Sequence, residues 1–177
     1  MIKLIAFDLD GTIGDTVPMC IRAFEKAVSP YAGHTLSERE ITQTFGLNEV
    51  GMIKKVAGEK WREALHDFYP VYEEMHQSCP APYGMRDLFC SVKTGAEDRP
   101  NKAEAIEELL HDFRLNKDEF YYIGDAVSDV AACKKAGVTC LSAAWATTAD
   151  VGGLEKANSS KVFPSIKELT LFLSIEK

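Results

Sequence analysis

The sequence predicts an α/β protein on a doubly wound parallel sheet, interrupted by an all-helical insertion. Three observations predict it. An apolar run without internal punctuation, Ile2 to Phe7, opens the chain as a buried parallel strand would. From about Thr16 to His76 the apolar spacing is helical and no strand candidate occurs. Beyond Gly84, short apolar runs alternate with helical patterns, as in a sheet whose strands are joined by crossover helices.

The elements follow in order. Ile2 to Phe7 stops at Asp8-Leu9-Asp10-Gly11-Thr12, where Gly11 allows a sharp loop. Val17 to Val28 reads as a helix with Ile21, Phe24 and Val28 along one face, ended by Ser29-Pro30. A second helix starts at Leu36-Ser37-Glu38 and closes at Gly46; Glu49 to Val56 and Glu59 to His76 make two more. Pro70 should kink or divide the last of these. Ser78 to Gly84 is a turn-rich return linker. Leu88 to Val92 is a short strand candidate, Lys102 to Phe113 a helix and Phe120 to Ile123 a strand. Ser128 to Ala136 is a helix closed by Gly137, Val138 to Leu141 a strand, Val162-Phe163 a short strand and Ile166 to Ile175 the last helix. This gives an α/β core over residues 1–15 and 83–177 and a helical insertion over residues 16–82.

Length and composition suit this plan. A chain of 177 residues, 46% hydrophobic and 27% charged, can bury one core plus a small inserted unit. The net charge of −7 argues against a nucleic-acid partner, and it requires that any phosphate be drawn in by a local cation. The five cysteines are odd in number and form no CxxC pair, which points to free thiols in a reducing compartment. The N-terminal apolar run is too short for a signal peptide, and no stretch approaches the ~20 residues of a membrane span. A cytoplasmic protein without a membrane partner is expected; no pattern speaks to its oligomeric state.

Asp8 and Asp10, two apart on extended backbone, leave the first strand on the same side. Adjacent carboxylates repel unless a proton or cation compensates, and a hard divalent ion such as Mg²⁺ is the natural compensation. The bland alternative is a solvated turn. Gly124-Asp125-Ala126-Val127-Ser128-Asp129 repeats the arrangement at a second strand end. Asp129 falls in the first turn of a helix, where the helix dipole alone would favour it. Lys102 falls in a first turn too, where the dipole disfavours a cation; it is either functional or an ordinary surface lysine. His34, His66, His76 and His111 show no metal-ligand spacing, and Trp61 reads as packing within the insertion.

Taken together, Asp8-Leu9-Asp10-Gly11-Thr12, Lys102 and Gly124-Asp125-xxx-Asp129 resemble the haloacid dehalogenase superfamily. Its phosphoglycolate-phosphatase-like branch, with a helical cap inserted after the first motif, is the nearest likeness. The resemblance implies a phosphatase acting on a small phosphorylated metabolite. Asp8 would attack phosphorus and form an aspartyl-phosphate, and Asp10 would serve as acid and then base. Mg²⁺ would be held by Asp8, the Asp10 carbonyl and Asp125; Lys102 would balance charge; Asp129 would orient Lys102 or a metal-bound water. Phosphoglycolate, sugar phosphates and pyrophosphate are all compatible. A phosphotransferase or mutase on the same fold, or a catalytically impaired binding relative, are the alternatives.

One departure stands out. The family expects a strand ending in Ser or Thr between cap and lysine, its hydroxyl binding a phosphoryl oxygen. Here only Leu88 to Pro100 is available. Either Thr94 is that hydroxyl, or a strand–helix unit of roughly 30 residues is absent and the first strand lacks a neighbour. The closeness of Thr94-Gly95-Ala96-Glu97-Asp98 to Lys102 favours the second reading.

Overall fold

The computed structural model describes residues 1–77, 85–93 and 102–175. The chain divides into two compact units, Met1–Asp15 with Asn101–Lys177, and Thr16–Pro100.

The first unit is a parallel sheet between helices. β1 (Leu4–Phe7), β2 (Phe120–Gly124), β3 (Thr139–Ala143) and β4 (Val162–Phe163) lie in the order β1-β2-β3-β4. All pairs are parallel, with Leu4 opposite Phe120, Phe7 opposite Ile123, and Gly124 opposite Ser142. Alternation along the strands sorts side chains to two faces. Phe120, Tyr122 and Cys140 pack on one face with Ile106 and Leu110 of α5 (Lys102–Asp112), Val130 and Cys133 of α6 (Val127–Ala136) and Leu154 of α7 (Val151–Asn158). Tyr121, Ile123, Leu141, Ala143 and Phe163 pack on the other with Leu169 and Phe172 of α8 (Ile166–Ile175). Helices therefore cover both faces of an α/β sheet, as expected.

β1 corrects one expectation. It reads from sequence as a buried strand, yet its residues are only partly buried and Phe7 is 41% exposed. The reason is position: among the described strands β1 has a ladder partner on one side only, whereas β2, between two neighbours, is buried throughout. Leu88 to Val92 also departs from its strand reading. Met85–Leu88 is a 3₁₀ turn, residues 89–93 carry no strand, and Leu88 and Val92 are exposed. An apolar run becomes a strand only when its backbone finds a ladder, and none of the four strands pairs with it.

The second unit is helical as far as it is described: α1 (Val17–Ala32), α2 (Glu38–Thr42), α3 (Glu49–Ala57) and α4 (Trp61–Gln77). Its core is Phe24, Val28, Ile41, Ile53, Ala64 and Phe68, with the Phe24 and Phe68 rings 4.7 Å apart. Pro30, read as the end of its helix, lies inside α1, and Pro70, read as a kink or a break, lies within the unbroken α4. α1 runs past Pro30 and stops at Gly33, whose φ of 79° ends it in the left-handed conformation. Continuing lets Tyr31 and Ala32 pack on the core, as Val71, Tyr72 and Met75 do beyond Pro70. That packing offsets the one backbone hydrogen bond each proline removes. α2 is shorter than expected because the buried Thr44 hydroxyl donates to the Ile41 carbonyl at 2.6 Å and turns the chain. Its start is a capping box: the Glu40 N–H donates to the Ser37 hydroxyl, and the Ser37 N–H donates to the Glu40 carboxylate.

Candidate active site

Asp8 and Asp10 follow the carboxyl end of β1 and Asp125 and Asp129 that of β2, where open parallel sheets place their ligands. The Asp8 N–H donates to the Ile123 carbonyl at 2.8 Å, continuing the β1–β2 ladder by one residue and setting Asp8 beside the end of β2. The chain then folds on itself. The Ile13 and Gly14 N–H groups both donate to the Leu9 carbonyl, and the Gly11 N–H donates to the Gly14 carbonyl at 2.7 Å.

Two glycines make this crowding possible. Gly11 has φ of 80°, and a Cβ there would run into the Asp125 carboxylate. A Cβ on Gly124 would run into the Asp129 carboxylate. Each glycine lets backbone approach an acid more closely than any side chain would allow.

Four of the sequence-predicted residues come together. The Lys102 ammonium donates to Asp8 Oδ2 at 2.8 Å and to Asp129 Oδ1 at 2.6 Å. Asp129 is fully buried, and its second oxygen accepts the Ala126 N–H at 3.0 Å. One Asp129 oxygen thus caps α6 and the other accepts from the lysine. Asp8, Asp125 and Asp129 each offer a carboxylate oxygen within 4.8 Å of the other two. Asp10 is half-buried in the loop and is not a member of that group. Thr94 lies outside the described residues.

The electrostatics follow from this geometry. Burial works against the Lys102 charge, but the Asp129 and Asp8 carboxylates outweigh it and hold the ammonium well above its ordinary range. Among the described residues Asp125 has no cationic partner in hydrogen-bonding contact. Burial first, then the charges of Asp129 and Asp8, push its carboxyl up to about 6. Among the described residues three carboxylates face one ammonium, an excess of negative charge. A set of hard oxygen donors, one of them destabilised as a bare anion, fits a divalent cation such as Mg²⁺. Since Lys102 and Ala126 already engage both oxygens of Asp129, Asp8 and Asp125 are the freer ligands.

Sequence reasoning missed Trp145, whose indole N–H donates to the Thr12 carbonyl at 3.0 Å, and the Thr12 hydroxyl, which donates to Asp125 Oδ1 at 3.3 Å. Trp145 stands 133 residues from its partner, and no local pattern announces such a contact. It also missed α7, because Gly152-Gly153 masks the helix; the Asp150 side chain accepts the Gly153 N–H and starts it.

A parallel sheet with acids at two neighbouring strand ends, bridged by a half-buried lysine, defines a Rossmann-like α/β protein with an acidic site at its strand tips. The comparisons with known proteins are specific. The model of the family described as haloacid dehalogenase-like hydrolase matches residues 5–94 and 81–143. The two matched stretches overlap at residues 81–94. A phosphoglycolate phosphatase of Vibrio parahaemolyticus is 26% identical over 185 residues, covering 77% of this chain and 81% of the relative. A hydrolase of Pseudomonas syringae superposes with a TM-score of 0.76 at 19% identity, covering 96% of this chain and 97% of the other. A haloacid dehalogenase-like family protein of Streptococcus pneumoniae gives 0.74 at 18% identity, with 97% and 98% covered. The chain belongs to the haloacid dehalogenase-like hydrolase family, in its phosphoglycolate-phosphatase-like branch.

Proposed function

We propose that the protein hydrolyses a small phosphate monoester by way of an aspartyl-phosphate on Asp8, with Mg²⁺ as cofactor. The observation that carries this reading is the Asp8–Lys102–Asp129 bridge beside Asp125. It fixes a carboxylate at a strand end, keeps a cation next to it, and leaves the rest of the cluster short of positive charge.

The Asp8 carboxylate attacks phosphorus, forming a P–O bond as the ester P–O bond breaks. Lys102 stays protonated and balances the charge that gathers on the phosphoryl oxygens. Asp10 gives its proton to the departing alkoxide, then takes one from the water that attacks phosphorus and releases phosphate, restoring Asp8. Asp129 holds Lys102 in place. The Asp8 side chain, the Asp10 carbonyl and Asp125 would hold Mg²⁺, which when bound shields the phosphate charge from the attacking carboxylate. The loop over residues 9–14 and Lys102 bear the phosphoryl oxygens. In this reading residues 16–82 are the cap that selects the substrate.

The test is Mg²⁺-dependent release of inorganic phosphate from a panel containing phosphoglycolate and sugar phosphates. Asp8→Asn should abolish turnover while the protein stays folded. Hydrolysis that survives Asp8→Asn removes Asp8 as nucleophile, and isomerised sugar phosphate in place of free phosphate would identify a mutase.

A further inference from the structure

Thr12 is bonded at both ends to groups outside its own loop. Its carbonyl accepts the Trp145 indole N–H at 3.0 Å, and its hydroxyl donates to Asp125 Oδ1 at 3.3 Å. The bonds from the Thr12, Ile13 and Gly14 N–H groups to Leu9 and from Gly11 to Gly14 stay within the turn. The Trp145 ring is anchored by packing against the buried cluster of Tyr121, Ile123, Leu141 and Ala143, just beyond the end of β3. A half-buried indole thus bonds the backbone of a residue that is 6% exposed and whose hydroxyl donates to an acid. That acid also sits against Gly11 of the same turn, so a displaced turn displaces Asp125.

We propose that Trp145 is a positioning residue for the cation site. By fixing the Thr12 carbonyl it aims the Thr12 hydroxyl at one Asp125 oxygen and leaves the other for the ion. The chain Trp145–Thr12–Asp125 is an outer-shell support of the kind that orients metal-ligating carboxylates. The inference rests on reading Asp8 and Asp125 as a Mg²⁺ site.

The experiment compares wild type, Trp145→Phe, Thr12→Val and the double variant. Mg²⁺ affinity is read by titration calorimetry, and kcat and KM with p-nitrophenyl phosphate. Trp145→Phe keeps the ring and removes the donor. It should weaken Mg²⁺ binding about 10-fold, while KM for the ester at saturating Mg²⁺ stays close to wild type. The double variant should bind Mg²⁺ no worse than the poorer single one, because both changes cut one chain of contacts. A folded Trp145→Phe with wild-type Mg²⁺ affinity, or losses that multiply in the double variant, overturns the proposal. Should Trp145→Phe fail to fold, the Trp61→Phe background makes Trp145 the sole indole of a chain with two tryptophans. Its emission should then shift on Mg²⁺ addition, and an unresponsive indole overturns the proposal equally. A wild type that binds Mg²⁺ but releases no phosphate refutes the hydrolytic reading alone, and the titrations still decide the role of Trp145.

Discussion

Asp125→Asn should make the metal-free protein more stable while destroying its response to Mg²⁺. In the folded chain the Asp125 carboxyl is raised from 3.8 to about 6, by burial and by its neighbours Asp129 and Asp8. That displacement means the folded state holds the anion about 3 kcal/mol less comfortably than the unfolded chain does. The carboxylate keeps some contact with solvent, so a discount for screening leaves about 1–2 kcal/mol. The sign follows from linkage: the protonated form is the better tolerated, so stability is fully present below pH 3.8 and is lost as pH rises through about 6. Asparagine keeps the oxygen that accepts from Thr12 and removes the charge. At pH 7.5 in chelator, Asp125→Asn should therefore unfold about 2–6 °C higher than wild type. Saturating Mg²⁺ should reverse the order. Ion at 100 times its dissociation constant adds about 2.7 kcal/mol to wild type and almost nothing to the variant. Thermal unfolding of both proteins at pH 4.5 and 7.5, with chelator and with Mg²⁺, reads all of this. A variant less stable than wild type in chelator at pH 7.5, or one that Mg²⁺ stabilises as strongly as wild type, would refute the reasoning.

Two further outcomes follow from the same cluster. Lys102→Met leaves the fully buried Asp129 without its ionic partner and should cost about 3 kcal/mol in urea unfolding at neutral pH. The loss should shrink in acid, where burial, which already raises Asp129, lets it take a proton instead. Gly11→Ala puts a Cβ into the Asp125 carboxylate at a φ of 80°. It should lower stability by about 1–3 kcal/mol and abolish the Mg²⁺-induced rise in unfolding temperature; an unchanged rise would show that Asp125 is not a ligand.

How much of this was legible in the sequence depends on the range of each signal. The elements whose apolar period is uninterrupted, Phe120–Gly124 and Ile166–Ile175, lie within a residue of their expected bounds. Pro30 misled because a local penalty is weighed against core contacts that no window of sequence contains. Leu88 to Val92 misled for the converse reason, since strand formation needs a partner as well as an apolar run. In the site, Asp8, Asp125 and Asp129 could be grouped in advance because each sits at a recognisable strand end or helix start. Lys102 carried a fainter mark, a cation at the wrong end of a helix, and the structure shows what compensates it. Trp145 and Thr12 were invisible as a pair: their bond joins two distant loops through a backbone carbonyl, and a carbonyl is the same in every residue.

The outer place of β1 has a consequence for timing. A strand zipped to a neighbour on one side opens at lower free energy than one clamped on both. Within the described sheet, β1 is the strand that leads directly into Asp8. Its amides should exchange with solvent hydrogen sooner than those of β2, and Asp8, the proposed nucleophile, should sit at the end of the more readily frayed of these two strands. Occupancy of the cluster by an ion and a phosphoryl group would stitch Asp8 to Lys102 and Asp125 from the far end. Ligand binding and closure of the sheet margin would then be one event, visible as slowed exchange along residues 4–8.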